Sequence, residues 1–156
     1  MNQKYSKLEK ASKARFLICT ACIITGFWIY ASCRRATFAY EKLLLVTAGS
    51  GWTDIKSALQ RSCPNSLSQL PGHEIIIYSL PNALWCLSLC LFLLGEIASL
   101  KRMRPIRRQA TLGIICLLPE LLQLIHAIPG YYDSTDALLA AASPVVAEII
   151  ETNLTK

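Results

Sequence analysis

Apolar residues in this chain gather into blocks rather than recurring at the spacing of one face of a soluble helix or strand. Phe16–Ala31, Leu80–Leu100, Thr111–Ile128 and Ala137–Ile150 are the blocks, divided by charged or Pro/Gly-rich stretches. About 20 residues at a rise of about 1.5 Å cross a hydrocarbon core of about 30 Å. The second block fits that length outright, the first fits with its flanks, and the third is slightly short. The fourth contains Pro144 and either spans with local thinning or is re-entrant. The pattern predicts an all-α integral membrane protein, a four-helix transmembrane bundle forming one domain over 1–156. The predicted spans are 14–33, 80–100, 110–128 and 136–151. An outer connection, 34–79, carries short interfacial helices at Glu41–Ala48 and Thr53–Arg61. In the latter, Thr53 or Asp54 supplies the cap, Ile55, Ala58 and Leu59 share a face, and Trp52 is an interfacial aromatic.

Composition agrees: 53% of the 156 residues are hydrophobic and mean hydropathy is +0.39. The net charge of +6 is not a nucleic-acid signal, because the bases flank the apolar blocks. Lys4, Lys7, Lys10, Lys13 and Arg15 precede the first, and Lys101, Arg102, Arg104, Arg107 and Arg108 separate the second from the third. The positive-inside rule then puts both termini in the cytoplasm and the 34–79 connection outside. The lipid bilayer is the expected partner, and no nucleic acid is. The KRMRPIRR arm either sets topology alone or also attracts anionic head groups. The basic start also has the form of a signal peptide, with Tyr30-Ala31-Ser32 before Cys33 close to a lipoprotein cleavage site. Three further apolar blocks make a retained anchor the simpler account.

Of seven cysteines, Cys19, Cys22, Cys86, Cys90 and Cys116 lie within apolar blocks, where Cys acts as a small hydrophobe. No loop carries a Cys/His set with zinc spacing, so no metal and no cofactor is expected. Cys33 and Cys63 both fall outside, and either pair in an oxidising compartment or stay free.

The candidate chemistry lies in Pro119–Asp136. Glu120, Gln123 and His126, three residues apart, form a slanting stripe on the third helix. A carboxylate at membrane depth is costly and is a functional hypothesis by default. Pro119 frees the carbonyl of Ile115, which makes room for water, an ion or a polar group. The alternative is that Glu120 and Gln123 bond neighbouring helices as packing glue. Asp133 and Asp136 open the last helix, either as caps or as the rim of a site with Tyr131 and Tyr132. At the start of the second span, Pro81 suits a first helical turn, and Trp85 lies one turn in. No nucleophile elbow, P-loop or dinucleotide fingerprint occurs, which leaves catalysis without support.

Two of these segments resemble a known family. LPNALWCLS at residues 80–88, followed by PELLQ and PGYYDSTDALLA, is similar to the VanZ-like membrane proteins, named for a teicoplanin-resistance protein. Glu120 and Gln123 match that family's Glu-x-x-Gln in a membrane helix, and Asp133 and Asp136 match its acidic turn. The chain departs from it in lacking an Asn after Asp136 and in carrying Asn82 where such sequences often have Asp. The resemblance implies a small bacterial inner-membrane protein connected with glycopeptide or envelope-lipid handling. Its expected pocket, at the outer leaflet, comprises Asn82, Trp85, Glu120, Gln123, His126, Asp133 and Asp136. A lipid-linked or glycopeptide-like ligand is the first candidate partner. The rival readings are a helical partner or immunity-type protein docking another protein's span, and an enzyme acting on lipid-linked phosphate with Arg34 and Arg35 at the rim.

Overall fold

The computed structural model describes residues 2–33, 50–64, 71–127 and 132–155. Among the described residues every regular element is helical. Helix α1 is Asn2–Cys33 and α2 is Ser50–Arg61. A π-helical turn, Ile75–Ser79, runs into α3, Leu80–Glu96. Then follow the short α4, Ala98–Arg102, and two long helices, α5, Pro105–Leu124, and α6, Ser134–Thr155.

Helix α3 is the centre of the packing, with α1 on one side and α6 on the other, and α5 lies against α6. Side-chain partners give the directions. Arg15 lies over Gly95, Cys19 meets Ser88, and Gly26 meets Trp85, so α1 and α3 run antiparallel. Glu120 meets Asn82 and Cys116 meets Cys90, so α5 opposes α3 as well. Arg15 joins Glu151 while Asn82 faces Asp136, so α6 runs with α3. The core between them is built from Cys90, Leu91, Leu94, Leu112, Cys116, Ala140 and Ala147.

Among the described residues, three stretches, Glu9–Cys33, Ile75–Glu96 and Ser134–Thr155, are long and apolar enough to cross a membrane. A third or less of each is buried within the protein. Phe16, Leu17, Ile24, Phe92, Leu138 and Ile149 point outward instead. Large apolar side chains exposed along such helices are the pattern of a membrane protein.

The structure moves three predicted boundaries. The second predicted span, 80–100, begins earlier and ends at Glu96, because Ile97 is extended (φ −91°, ψ 102°). Pro81 accounts for the early π turn. It has no N–H to give Ile77 O, and its ring collides with that carbonyl. A wider turn moves the carbonyl aside, and Leu80 N–H bonds Ile75 O instead. The third predicted span, 110–128, stops at Leu124, and 128 lies outside the described residues. Helix α5 starts at Pro105 on an extended Arg104, so each 18-residue stretch of it includes Arg107, Arg108 and Glu120. The fourth is extended to 22 residues, about 33 Å at the α-helical rise. Pro144 sits buried inside it without ending it, and Ser143 Oγ donates to Leu139 O at 2.9 Å beside it.

Of the outer connection, the predicted Thr53–Arg61 helix lies within α2, which packs on α1. The predicted Glu41–Ala48 helix lies outside the described residues. Cys33 and Cys63 are joined in a disulfide that ties the end of α1 to the chain just after α2.

Candidate functional site

Asn82 stands one residue after Pro81, in the first turn of α3, and its side chain turns toward α5 and α6. Its Nδ2 donates to Glu120 Oε1 at 3.0 Å and to Asp136 Oδ2 at 3.5 Å. One amide therefore links carboxyl groups from two other helices, separated from it in sequence by 38 and 54 residues. Glu120 is only 3% exposed. Helix α5 continues through Pro119, which brings Glu120 to the buried face one turn beyond Cys116. The second oxygen, Oε2, is buried and has no hydrogen-bond partner among the described residues. A buried acceptor without a donor costs about 1–3 kcal/mol. The position therefore favours any group that brings an N–H or O–H.

Asp133 and Asp136 divide their work. Asp133 Oδ1 accepts the Thr135 N–H at 2.7 Å, and its carbonyl accepts the Ala137 N–H at 3.0 Å. Asp133 is thus the N-cap of α6, and its carboxylate is occupied by the backbone. Its own backbone lies beside the Glu120 carboxyl. Asp136, three residues on, faces Asn82. The acidic turn is a cap and a site residue together.

Three other expected site residues are placed elsewhere. His126 is not on the α5 stripe: it is exposed and has φ +57°. His126 N–H bonds Gln123 O at 3.0 Å, and Ala127 N–H bonds Leu122 O at 2.8 Å. That pair of bonds is a Schellman motif, with His126 in the left-handed position that ends the helix. The apolar Ile125 and Ala127 around it conceal the stop. Pro129 and Gly130 mark an end to this helix in the sequence but do not place it as early as Leu124. Trp85 faces α1. Its ring centroid is 5.8 Å from that of Tyr30, and a Cβ on Gly26 would stand 2.7 Å from its Nε1. Gln123 is half-buried on α5, and its amide makes no hydrogen bond among the described residues. The cluster is therefore Asn82, Glu120 and Asp136, with Asp133 at its edge. Arg34 and Arg35, expected at the same rim, and Tyr131 lie outside the described residues.

A second polar cluster was missed by sequence reasoning. At the opposite end of the helices, Arg15 Nε and Nη2 donate to Glu151 Oε2 and Oε1 at 2.9 and 2.7 Å. Arg108 Nη2 pairs with Glu148 Oε1. All four side chains are largely buried. Glu148 and Glu151, three residues apart, thus join α6 to α5 and to α1. Two acids at that spacing after an apolar run were visible in the sequence. Their partners, 136 residues away in one case, were visible only as topology bases.

Comparison with known proteins gives no match to any family model, any curated protein or any solved structure. Among the described residues, no group of three His, Cys, Asp or Glu side chains is disposed to hold a metal ion. The arrangement at Asn82 is suited to hydrogen bonding of a polar group between apolar helices.

Proposed function

We propose that the chain is a bacterial inner-membrane protein of VanZ-like type, a four-helix transmembrane bundle with both termini cytoplasmic. Its polar pocket faces the outer leaflet and engages a lipid-linked or glycopeptide-like ligand. The observation that carries the pocket is the unpartnered, buried Glu120 Oε2 beside the Asn82 bridge. Such a ligand offers hydroxyl and amide N–H donors and a lipid tail, and the pocket offers an acceptor between apolar helices. Orientation has two independent supports. Disulfides persist in oxidising compartments, and Cys33–Cys63 lies at the pocket end. The basic clusters around Arg15 and Lys101–Arg108 lie at the other end, as the positive-inside rule requires of a cytoplasmic face. Helix α5 is the fourth span in this reading. Arg107 and Arg108 mark its cytoplasmic boundary, and Glu120 is covered by α3 and α6.

The test is Glu120→Gln alongside Asn82→Ala, expressed in a bacterial host and scored for susceptibility to teicoplanin and other envelope antibiotics at matched membrane abundance. Glu120→Gln keeps the volume but replaces one acceptor with a donor. It is expected to abolish any protection conferred by the native chain, with at least a fourfold fall in inhibitory concentration. Full protection from both variants at native abundance would overturn the role of the pocket.

A further inference from the structure

Five arginines gather at the basic end of the long helices, and they fall into two sets. Arg15 and Arg108 are neutralised by Glu151 and Glu148. Arg102, Arg104 and Arg107 are exposed, and their guanidinium groups make no ion pair or hydrogen bond among the described residues. These three line one groove of about 550 Å³ between α4 and the start of α5, whose remaining wall includes Met103, Ala110 and Ile114. Three cations and an apolar wall in one groove match a ligand that is anionic at one end and apolar at the other.

A second observation extends the match. From Ile114, the exposed residues Leu118 and Leu121 continue along the same side of α5 at steps of four and three. That spacing makes one continuous stripe on a helix. It leads from the groove toward the pocket end, along the direction an acyl chain takes from a head group into a bilayer.

We propose that this groove is a binding site for an anionic phospholipid of the cytoplasmic leaflet. The phosphate is held by Arg102, Arg104 and Arg107, and an acyl chain lies along Ile114, Leu118 and Leu121. The proposal rests on the reading that the long helices cross a bilayer, and it does not depend on the Glu120 pocket. Arginine suits the task because its fork of N–H donors meets phosphate oxygens in pairs. The apolar stripe selects a lipid over a soluble phosphate.

The experiment uses the full-length chain purified in a neutral detergent, with bound lipid counted by native mass spectrometry. Phosphatidylglycerol is expected to bind at least about tenfold more tightly than phosphatidylcholine, since each base near an anionic surface contributes about fivefold. The triple variant Arg102→Gln/Arg104→Gln/Arg107→Gln should lose that preference, while Arg61→Gln, on α2, should keep it. Ile114→Asn should weaken phosphatidylglycerol and leave glycerol 3-phosphate unaffected. Undiminished phosphatidylglycerol preference in the triple variant would overturn the site. Glycerol 3-phosphate binding as tightly as the lipid would overturn the lipid assignment in favour of a soluble anion. Alkaline washing of membranes tests the underlying reading separately. A chain released by the wash does not span, whereas a retained chain without lipid preference refutes the groove alone.

Discussion

At the basic end of the long helices, Arg15 and Arg108 each meet a carboxylate of α6; at the other end, Glu120 and Asp136 meet one neutral amide. Both clusters are largely buried, and both tie α6 to its neighbours. They differ in charge: the first pairs cations with anions, and the second sets carboxyl groups on a neutral amide. Arg15 gives two N–H groups to the two oxygens of Glu151, whereas in the neighbouring Arg108–Glu148 pair Arg108 Nε and Glu148 Oε2 are buried without a hydrogen-bond partner among the described residues. At the pocket end, Asn82 offers one nitrogen to two carboxyl groups, and Glu120 Oε2 is left over. Matched charges between helices make a clamp. A surplus acceptor occurs at both ends, in Glu148 and in Glu120, but only Glu120 has it beside a neutral amide rather than an arginine.

The largest expected effect breaks the clamp. Arg15→Ala leaves the Glu151 carboxylate with no partner in a largely buried position, which costs about 3–5 kcal/mol in such pairs. The unfolding midpoint in detergent should fall clearly, and the Arg15→Glu/Glu151→Arg exchange should restore part of it. Glu120→Gln provides the contrast, because no cation is orphaned by it. Its unfolding midpoint should stay within a few degrees of native. A loss as large as that of Arg15→Ala would make the two ends equivalent and Glu120 a packing residue.

The same contrast shows what could be read from the chain. The apolar blocks, the central span, the outward hydrophobics and the acidic start of α6 are all local patterns, and they reappear as helices in nearly the expected places. Glu120 was conspicuous for the same reason, as an ionisable group in an apolar run. The bonding of Asn82 to both acids was not legible, because it depends on which faces of α3, α5 and α6 meet. The arginine pairs were hidden differently. A base beside an apolar block satisfies the positive-inside rule whether or not it also meets an acid, so the simpler account concealed the pairing. The end of α5 was misread because helical spacing continues through His126 while the backbone does not.

A smaller effect is expected where the helices approach most closely. At each end a glycine lies beneath a large side chain of the facing helix: Gly95 under Arg15, and Gly26 under Trp85. A methyl at Gly95 would stand 2.5 Å from Arg15 Nη1, a flexible group whose position is nonetheless held by Glu151. One at Gly26 would stand 2.7 Å from the rigid Trp85 ring and 3.2 Å from Pro81 O. Neither the ring nor the backbone carbonyl can yield easily, so Gly26→Ala should cost about 1–3 kcal/mol as overpacking does. Because Pro81 precedes Asn82, the shift should also disturb the pocket. A detergent melt paired with the antibiotic assay should show both losses in Gly26→Ala. Gly95→Ala should show only loss of stability.

The smallest effect concerns His126, and it decides how far the pocket extends. A left-handed backbone is disfavoured for residues with a Cβ, by roughly 1–2 kcal/mol, and glycine adopts it without that strain. His126 holds φ +57° because two backbone hydrogen bonds close the end of α5 around it. If that is its whole role, His126→Gly should raise the unfolding free energy by about 0.5–1 kcal/mol, the strain relieved less the entropy that glycine loses on folding. Activity in the antibiotic assay should be unchanged, because the imidazole is exposed and outside the Asn82–Glu120–Asp136 cluster. A more stable protein with lost activity would return His126 to the site as a rim residue acting from solvent. A less stable one would mean that the imidazole itself supports the turn. The expected pairing of higher stability with intact activity confines the pocket to Glu120 and its two neighbours, where a neutral amide stands in place of the arginines of the other end.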